Sequence, residues 1–567
     1  MGRIVGIDLG TTTSEIAYIN NGMPEIIKNG QSGITPSFVG FNKNMDILVG
    51  EHAKNQYITA RDRTVCEIKR KMGTNEHVLM AGKKFTPVEI SAFILRELKK
   101  VAEFHLNESV ADAVITVPAN FNDAQRQATK EAGEKAGFVV KHIINEPTAA
   151  ALAFGINNLK TEGKVLVYDL GGGTFDVTVL EMIEGSLDVI ASRGLDRLGG
   201  KDFDEKIVDQ IINEIKTEHD IDLSRDLTAM ARIKDAAEKA KVMLSSVNNT
   251  SIYLPFIAQK DGETISFEMD VTREWYEDLI RDFIPQTMNC VDDALKAAKL
   301  SASDIDIVLA VGGSSRTPLI RSELERRFEK KLQGRINPDE AVALGAAVQA
   351  GLLNEEISAD SIAIFDVCNH SLGISVVRDT ANGREKGYFS RLILRDTHLP
   401  FSFTDTFTTI HDYQTVINVE VYQGESDRVE NNSKIAEMAV MGIPVNKAGE
   451  EEIEITFRYN ISGMLDVSAV IVSTGEETSI SINMLNYDAP KSKTDSKLDE
   501  IEWENYSLAD DIRTTVNLYK NRRENLPEEG KKKADILLRK LKKAVEDNDE
   551  DEVNKIDDEL TALLFEY

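Results

Sequence analysis

The fold is decided by a stretch in the first third of the chain, Val165-Leu166-Val167-Tyr168-Asp169-Leu170-Gly171-Gly172-Gly173-Thr174-Phe175-Asp176-Val177-Thr178-Val179. A related stretch opens the chain, Val5-Gly6-Ile7-Asp8-Leu9-Gly10-Thr11-Thr12-Thr13-Ser14-Glu15-Ile16-Ala17. In each, a β-type run ends in Asp-Leu-Gly, small residues follow, and a second β-type run begins, which is typical of two strands joined by a glycine turn. A third glycine turn comes later, at Val311-Gly312-Gly313-Ser314-Ser315-Arg316. Two similar halves with a cleft between them would place these turns opposite each other.

Glycine turns of this kind suit a phosphate chain. Glycine has no Cβ, so backbone N–H groups can approach phosphate oxygens closely, and small hydroxyls add donors without filling the site. The aspartates that open the turns, Asp8 and Asp169, supply hard oxygen for Mg²⁺, mostly through coordinated water. Neither turn is a Walker A loop or a dinucleotide-binding fingerprint. One Asp-Leu-Gly alone is an ordinary hairpin turn, whereas two of them followed by a Gly-Gly-Ser turn predict that the chain binds and hydrolyses ATP.

Composition narrows the class of protein. The chain has 567 residues, too many for one hydrophobic core, with 42% hydrophobic and 6% aromatic residues, as is ordinary for globular proteins. Its formal net charge of -29 argues against a nucleic-acid binder and against adsorption to anionic membranes, since both need basic surface. The plain interpretation of the charge is a solvated acidic surface.

The three cysteines, Cys66, Cys290 and Cys368, fit neither a disulfide framework nor a zinc spacing, so we expect free thiols in a reducing compartment. The N-terminus enters a β-type pattern at Arg3, without a basic region followed by an apolar run. No later segment is apolar enough to span a bilayer. We therefore expect a cytoplasmic protein.

The character of the sequence changes along the chain. Up to about Leu353, short β-type runs such as 113–117 alternate with helical patterns such as 124–137, which indicates an α/β fold. Residues 368–488 contain many short alternating runs separated by turns, as expected of an all-β region. After Pro490 the chain is strongly charged, with leucines and isoleucines at helical spacing, which predicts an α-helical tail.

An apolar connector joins the α/β and all-β regions, Ser361-Ile362-Ala363-Ile364-Phe365-Asp366-Val367. Linkers are normally polar, so this composition is unusual. Two interpretations stay open: the connector is the first strand of the all-β region, or it docks on a neighbouring domain.

Three stretches together resemble the DnaK-type heat shock protein 70 chaperone family, namely Gly6-Ile7-Asp8-Leu9-Gly10-Thr11-Thr12, Ile143-Ile144-Asn145-Glu146-Pro147-Thr148-Ala149-Ala150-Ala151 and residues 167–176. The resemblance extends to about Pro490. Within the all-β region, Asp366-Val367-Cys368, Ser371-Leu372-Gly373 and Val421-Tyr422-Gln423-Gly424-Glu425, with the short tail, look closest to the HscC branch.

The resemblance implies a division into parts with distinct roles. Residues 1–357 would form an α/β actin-like ATPase domain with two lobes, and 358–367 an apolar interdomain linker. Residues 368–488 would form a β-sandwich that binds peptide, and 489–567 a short α-helical lid. An ATP-dependent chaperone active in protein folding and stress response is the function so implied. Its cofactors would be ATP or ADP and Mg²⁺, with K⁺ as a further cation.

Site residues follow from the same resemblance. Lys69 would reach the γ-phosphate, which suits a fixed cation beside phosphoryl oxygens, and Glu146 and Asp176 would orient water or the metal shell. Which carboxylate takes a proton stays open. The expected catalytic residues are Lys69, Glu146, Asp169, Thr174 and Asp176, and the expected metal residues are Asp8 and Asp169, largely through water. The expected nucleotide-binding residues are Gly10, Thr11, Thr12, Thr13, Gly171, Gly172, Gly173, Thr174, Gly199, Gly200, Glu238, Lys241, Ser245, Gly312, Gly313, Ser314, Arg316 and Asp339.

Peptide and protein partners are implied as well. One side chain of an extended apolar peptide would lie in a pocket of the β region, lined by Ile374, Val377, Phe407, Ile410 and Ile417. Plain sandwich core is an equally good interpretation of each of these residues. Unfolded or extended polypeptides would be the clients, with a J-domain co-chaperone and a nucleotide exchange factor as partners.

The chain departs from the family's pattern in four places. His142 stands where an arginine is common, at a position tied to the J-domain partner, and Lys201 replaces a usual glutamate near the nucleotide. The linker contains less leucine than usual. The segment 73–87 is short and the C-terminal residues 565–567 lack the eukaryotic cytosolic tail motif, so exchange-factor and tail-binding partners do not carry over directly.

Two other functions compete with the chaperone. A small-molecule kinase of the actin-like superfamily would need a carboxylate base beside a polar pocket and would not need an all-β region. An actin-like filament protein would polymerise with ATP. The resemblance across both regions favours the chaperone.

Overall fold

A computed structural model describes residues 3–158, 161–183, 186–334, 337–358, 362–380, 383–459 and 464–483, with isolated positions between 512 and 563. The predicted helical tail, 489–567, lies mostly outside these residues, so it stays a prediction. The bounds of the four predicted parts stay predictions as well. The described tail positions include a separate apolar cluster, formed by Ile512, Val516, Tyr519, Ala534, Leu538, Leu541, Ala544, Val545, Val553, Ile556 and Leu560.

The first part of the chain forms one lobe around a mixed sheet. Its elements are β1 (Ile4–Leu9), β2 (Thr13–Asn20), β3 (Met23–Ile26), β4 (Thr35–Pro36), β5 (Val39–Phe41), β6 (Ile47–Val49), α1 (Glu51–Tyr57), β7 (Thr64–Val65), β8 (Val78–Met80), β9 (Lys83–Phe85), α2 (Pro87–Leu106), β10 (Asp112–Val117), α3 (Asp123–Lys135), β11 (Val139–Asn145) and α4 (Glu146–Ile156), with 3₁₀ turns at Arg61–Arg63 and Ile68–Lys71. The main sheet has the order β11-β10-β1-β2-β3, with β4 beside β2. The predicted strand 113–117 and helix 124–137 correspond to β10 and α3.

The second lobe repeats the plan of the first. Its elements are β12 (Gly163–Leu170), β13 (Phe175–Ile183), β14 (Ser186–Leu195), α5 (Gly200–His219), α6 (Leu227–Leu244), β15 (Asn249–Lys260), β16 (Glu263–Thr272), α7 (Arg273–Ile280), α8 (Ile284–Ala297), β17 (Ile307–Val311), α9 (Pro318–Phe328) and α10 (Ala341–Leu353), with 3₁₀ turns at Arg281–Phe283, Ala302–Asp304 and Gly313–Arg316. In each lobe a hairpin pairs with a parallel strand, β1–β2 with β10 and β12–β13 with β17. The predicted internal repeat is therefore confirmed.

The two lobes meet on α4 and α10, which are buried on nearly all sides. Alanine and glycine allow this because they let backbones approach closely. A Cβ at Gly6 would lie 2.1 Å from the backbone nitrogen of Ala347, and one at Gly345 would lie 1.6 Å from the carbonyl oxygen of Ala149. Larger residues at these glycines would force β1, α4 and α10 apart.

The all-β region packs two four-stranded antiparallel sheets face to face, as predicted. The strand before this region, β18 (Ala363–Phe365), belongs to the second lobe. The strands of the two sheets are β19 (Leu372–Thr380), β20 (Gly383–Ile393), β21 (Phe401–Thr408), β22 (Val416–Gln423), β23 (Ser433–Met441), β24 (Glu452–Tyr459), β25 (Met464–Ile471) and β26 (Glu477–Asn483), with a 3₁₀ turn at Val429–Asn431. The sheet orders are β20-β19-β22-β23 and β21-β24-β25-β26, and one core fills the space between them.

The apolar connector docks on the second lobe. Its residues Ala363–Phe365 extend the sheet as β18, parallel to Ser186–Asp188 of β14. Ile362 and Val367 are each 3% exposed and join the apolar cluster that contains α4 and α10. Of the two interpretations left open above, docking on a neighbouring domain is the one that the structure supports.

Cys66, Cys290 and Cys368 are all free thiols, as expected. No helix in the described part of the chain is both long and apolar enough to cross a bilayer.

Candidate active site

The two Asp-Leu-Gly turns face each other across the cleft, as predicted. A Cβ added to Gly172 would lie 2.6 Å from the Thr12 side chain, and one added to Gly173 would lie 2.7 Å from the Thr11 side chain. Only glycine fits at this contact. The turn between β1 and β2 and the turn between β12 and β13 thus form the two walls of a narrow polar gap.

Further glycines close the gap from the second lobe. A Cβ on Gly199 would lie 2.5 Å from the nitrogen of Gly173, and the N–H of Gly200 donates to the carbonyl of Gly171 at 3.0 Å. Ser314 Oγ donates to the same carbonyl at 2.8 Å. Gly312 has a φ of 77°, in the left-handed region, and its Cα approaches Leu170 and Asp169. The third predicted turn therefore packs against the second.

Three aspartates line the gap: Asp169 and Asp176 are buried and Asp8 is half-buried. Burial and the nearby Glu146 raise the pKa of Asp8 to about 7 and of Asp176 to about 8, and they raise the pKa of Asp169 as well. Thr116 Oγ1 donates to Asp8 at 3.0 Å, and the backbone N–H of Asn120 donates to Asp176 at 3.3 Å. Asp169 Oδ2 is buried without a hydrogen-bond partner among the described residues.

One buried lysine faces these carboxylates. Lys69 is 5% exposed and its Nζ forms an ion pair with Oε1 of Glu146. Burial lowers the pKa of Lys69, but attraction to Glu146 and Asp8 outweighs it, so the pKa is raised and the side chain stays charged. The predicted catalytic lysine and glutamate are thus partners.

The carboxylates outnumber the cation that faces them, and this imbalance fits a divalent metal ion. A dication would restore the low pKa of Asp8, Asp169 and Asp176 and would give the buried Asp169 Oδ2 a partner. Among the described residues, no three His, Cys, Asp or Glu side chains converge closely enough to ligate one ion directly.

The predicted adenosine residues lie at the other end of the gap. On α6, Lys241 Nζ lies 2.8 Å from Asp204 Oδ1 and donates to the carbonyl of Gly200 at 2.9 Å. Ser245 Oγ donates back to the carbonyl of Lys241 at 3.3 Å, so it caps the helix in this structure. Arg316 Nη2 donates to Asn337 Oδ1 at 2.6 Å and to Asp339 Oδ2 at 2.7 Å. Gly313 contacts Asp339, since its Cβ would lie 3.1 Å from Oδ1.

Lys201, where the sequence departs from the family pattern, connects the two lobes. Its Nζ lies 3.3 Å from Glu238 Oε2, 3.5 Å from Asp204 Oδ2 and 3.8 Å from Glu67 Oε1. Glu67 belongs to the first lobe and the other two to the second. Lys54 on α1 reaches Glu238 at 3.7 Å from the first lobe. Glu67, Lys201, Glu238 and Lys54 therefore form a chain of four charges of alternating sign across the cleft, and Asp204 is a further partner of Lys201.

Family comparisons agree with this geometry. The family described as Hsp70 protein matches residues 4–566. The chain belongs to the Hsp70 family. The protein named chaperone protein DnaK in Thermotoga petrophila, and that in Thermotoga maritima, are each 43% identical over 98% of this chain and 95% of their own length. The DnaK of Thermosipho africanus is 43% identical over 98% of this chain and 94% of its own length.

Family membership establishes the general activity. Hsp70 proteins are ATPases that bind ATP or ADP with a divalent metal, and the chain is an ATP-dependent molecular chaperone. It has the actin-like ATPase region and the β substrate-binding region of its family. Unfolded polypeptides are its clients, and co-chaperones act with it. These relatives are DnaK proteins, so the expected closeness to the HscC branch is not supported. Membership of the Hsp70 family argues against the alternatives of a small-molecule kinase and a filament protein.

Contacts between the ATPase region and the β region of this Hsp70 protein were not foreseen. Arg193 forms a bidentate ion pair with Asp396, and Arg395 Nη2 donates to the carbonyl of Ser192 at 2.8 Å. His370 Nε2 lies 3.2 Å from the carbonyl oxygen of Asn120. Sequence offers no local pattern for such pairs, because the partners are distant along the chain.

Other residues of the ATPase region contact the predicted site but were not among the predicted site residues. Arg70 Nη2 donates to the Gly173 carbonyl at 3.2 Å and to Asp202 Oδ2 at 2.6 Å, and so joins the first lobe to a phosphate turn of the second. Thr116 and Asp204 were not among the predicted site residues, although each contacts one of them. In the sequence, the position of Arg70 next to Lys69 is the feature that indicates that Arg70 lies near the site.

The predicted peptide residues do not form a uniform set. Ile374 is 3% exposed and belongs to the sandwich core. The other four are half-buried, and of these Phe407 and Ile417 pack against that core.

His142 on β11 is half-buried, and burial together with Arg126 lowers its pKa to about 4, so it is neutral at pH 7. It cannot replace the charge of an arginine at that position.

Proposed function

We propose that the chain hydrolyses ATP to gate the binding and release of extended apolar segments of unfolded proteins in its β region. One observation carries the proposal: the apolar connector is inserted as a strand into the ATPase lobe. A segment that leaves one domain and pairs with another can transmit a change in the first domain to the second. The docked form would be the open, fast-exchanging form that ATP favours, and hydrolysis would release the connector.

In this proposal the ends of the gap have different roles. The glycine turns and Thr11, Thr12, Thr13 and Thr174 would hold phosphates, while Glu238, Lys241, Ser245 and Arg316 would hold adenosine. Asp8 and Asp169 would hold Mg²⁺ through water, with K⁺ as a further cation. When bound, Mg²⁺ would neutralise charge on the phosphates and orient them. Lys69 would add a fixed positive charge beside the γ-phosphate.

The hydrolysis step would use water as the nucleophile. The water oxygen bonds to the γ-phosphorus, and the bond from that phosphorus to the bridging oxygen breaks, with its electron pair leaving on ADP. The water proton passes to a carboxylate or to phosphate. Glu146, held by Lys69, and Asp176, held by the N–H of Asn120, would orient the water. In phosphoryl transfer of this type a general base contributes little to the rate, so the positioning of the water would contribute most.

A short series of contacts supports coupling between the connector and the catalytic residues. Asp366, at the end of the connector, accepts a hydrogen bond from Asn145 Nδ2 at 3.2 Å. Asn145 also accepts from Arg126 Nη2 at 2.6 Å. The next residue along the chain is Glu146, the partner of Lys69. Movement of the connector would therefore displace the residue that precedes the catalytic glutamate.

Coupling must be reciprocal, and this provides a test. Steady-state ATPase rates of the full chain are compared with and without a saturating apolar peptide. We expect the peptide to accelerate hydrolysis severalfold. An unchanged rate would contradict the gating proposal while leaving ATP hydrolysis itself intact.

The peptide pocket is a separate part of the proposal. Val377, Phe407, Ile410 and Ile417 would line it, and Ile374 would support it from the core. Ile417→Asp should weaken peptide affinity by tenfold or more, since a charge would enter an apolar pocket, at about 1.4 kcal/mol per factor of ten. Ile480→Asp, at a comparably half-buried isoleucine on the other sheet, is the matched control. Equal losses in both variants would contradict the assignment.

Partners and location complete the proposal. A J-domain co-chaperone and a nucleotide exchange factor remain the expected partners, and the cytoplasm remains the expected location. Exposed apolar residues on the second lobe, such as Tyr253 at 59% and Phe256 at 74%, support a partner surface there. The helical tail 489–567 would act as a short lid over the peptide site.

A further inference from the structure

A second cavity opens from the phosphate end of the gap. Its volume is about 140 Å³, well above the ~10–15 Å³ that one water needs. Its inner wall includes Thr11, Lys69 and Thr174, which belong to the predicted phosphate site. The rest of the wall is formed by Arg70, Met72, Thr74, Phe121, Gln125, Asp196 and Arg197. None of the adenosine residues lines it.

The cavity leads from the buried interior to the surface. At its inner end, Lys69 is 5% exposed and Thr11 is 6% exposed. At its outer end, Thr74 of the first lobe and Asp196 and Arg197 of the second lobe are exposed. The cavity is therefore a passage between the lobes, on a side that none of the predicted adenosine residues lines.

The mouth of the cavity suits an anion. Three cationic side chains, Lys69, Arg70 and Arg197, and one carboxylate, Asp196, line the wall. Lys69 pairs with Glu146 and Arg70 with Asp202, so an anion would be drawn mainly by Arg197. Asp196 already accepts a hydrogen bond from Asn120 Nδ2 at 2.9 Å. Arg70 is anchored by Asp202 and Gly173, and its buried Nε–H has no hydrogen-bond partner among the described residues. Guanidinium groups bind phosphate oxygens well.

We propose that this passage receives the inorganic phosphate cleaved from ATP and conducts it to solvent separately from ADP. The inference rests on ATP hydrolysis in the adjoining gap. The cleaved phosphate lies beside Lys69, Thr11 and Thr174, which line both spaces, so it can enter the passage without crossing ADP. Arg70 holds it within, and Arg197 draws it towards the mouth.

The test separates chemistry from the release of each product in the full-length chain. Single-turnover hydrolysis is followed by acid quench, phosphate release by a fluorescent phosphate sensor, and ADP release with a fluorescent ADP analogue. Arg197→Glu reverses the charge at the mouth, and Thr74→Trp narrows it. Both residues are exposed, so both variants should fold. Arg225→Glu, an exposed arginine elsewhere on the second lobe, controls for net charge.

We expect both variants to slow phosphate release about tenfold, the effect of one charge-assisted contact. Hydrolysis and ADP release should keep wild-type rates, and Arg225→Glu should change none of the three. Inorganic phosphate added to the ADP complex should bind more weakly to Arg197→Glu than to wild type. Wild-type phosphate release in both variants would overturn the proposal, as would equal slowing of phosphate and ADP. A wild-type chain without hydrolysis would overturn the ATPase assignment itself, and this inference with it.

Discussion

Arg193 on β14 and Asp396 of the β region form a bidentate ion pair, with Nη1 to Oδ1 at 2.8 Å and Nη2 to Oδ2 at 2.6 Å. Both side chains are largely buried, at 19% and 18% exposure, so water screens the pair only partly. β14 is also the strand that pairs with the connector. The ion pair and the docked connector therefore stabilise the same contact between the two parts of the chaperone.

Removing this ion pair should uncouple the β region from ATP. In Asp396→Asn, we expect ATP-driven peptide release to slow about tenfold, since a charge-assisted hydrogen bond contributes about 1.5–3 kcal/mol. Because ATP favours the docked form and the coupling is reciprocal, the apparent ATP affinity should fall by no more than the same factor. Peptide dissociation followed by fluorescence anisotropy provides the measurement. Asp379→Asn, at an 83% exposed aspartate of the same region, should behave as wild type. Equal effects of both substitutions would contradict the role of the pair.

Lys69→Ala should abolish most hydrolysis without abolishing nucleotide binding. Loss of one fixed charge at a developing anion costs about 10²–10³-fold in rate. It also leaves Glu146 buried without its partner, so some stability should be lost. Single-turnover hydrolysis and nucleotide titration measure the two effects. Lys71→Ala, two residues away and 43% exposed, is the control. A Lys69→Ala variant with wild-type hydrolysis would exclude the proposed role.

Lys201 should slow nucleotide exchange, because it pairs with acids of both lobes. Lys201→Gln should release ADP about tenfold faster, at ~1.4 kcal/mol for that factor, and its release rate should depend less on salt than that of wild type. Lys239→Gln, at a 71% exposed lysine on α6, is the control. Stopped-flow release of a fluorescent ADP at two ionic strengths measures both. A wild-type rate in Lys201→Gln would show that these pairs do not hold the cleft closed.

Acidification should weaken the docked form through His370. Burial, and then repulsion from Arg395 and Arg126, lower its pKa from 6.5 to about 4. The docked form therefore holds the neutral ring, and its full stability is present above pH 6.5 and is lost as pH falls towards 4. Between pH 7.5 and 5.5 the equilibrium constant for docking should fall by up to about tenfold. Small-angle scattering of the ATP-bound chain measures this change. In His370→Asn the dependence should be smaller, and an unchanged dependence would exclude His370 as its source.

Local chemistry explains what the sequence predicted well. Glycine turns, alternating strands and helical spacing are properties of neighbouring residues, so the facing turns, the internal repeat and the all-β region were predictable. The ATP gap was predicted from the two Asp-Leu-Gly turns and the Gly-Gly-Ser turn, because glycine lets backbone N–H groups approach phosphate closely. The docked connector was one of two open interpretations, since apolar composition alone does not say which surface covers it.

Contacts between distant residues account for what the sequence did not predict. Arg70 and Asp202 are far apart in the chain and meet only in the fold. Lys201 was recognised as a reversed charge, but its acidic partners on both lobes depend on how the cleft closes. Ile374 was assigned to the peptide pocket together with its neighbours, yet alternation along a strand cannot separate a pocket residue from a core residue.

Peptide release with and without ATP tests the central claim most directly. A fluorescent apolar peptide bound to the full-length chain is chased with unlabelled peptide, in ATP and in ADP, and its dissociation is timed. The docked connector predicts release at least tenfold faster in ATP, a coupling of about 1.4 kcal/mol. Because binding rather than hydrolysis drives opening, Lys69→Ala should keep this acceleration. Equal dissociation rates in ATP and ADP would contradict an ATP-gated peptide clamp.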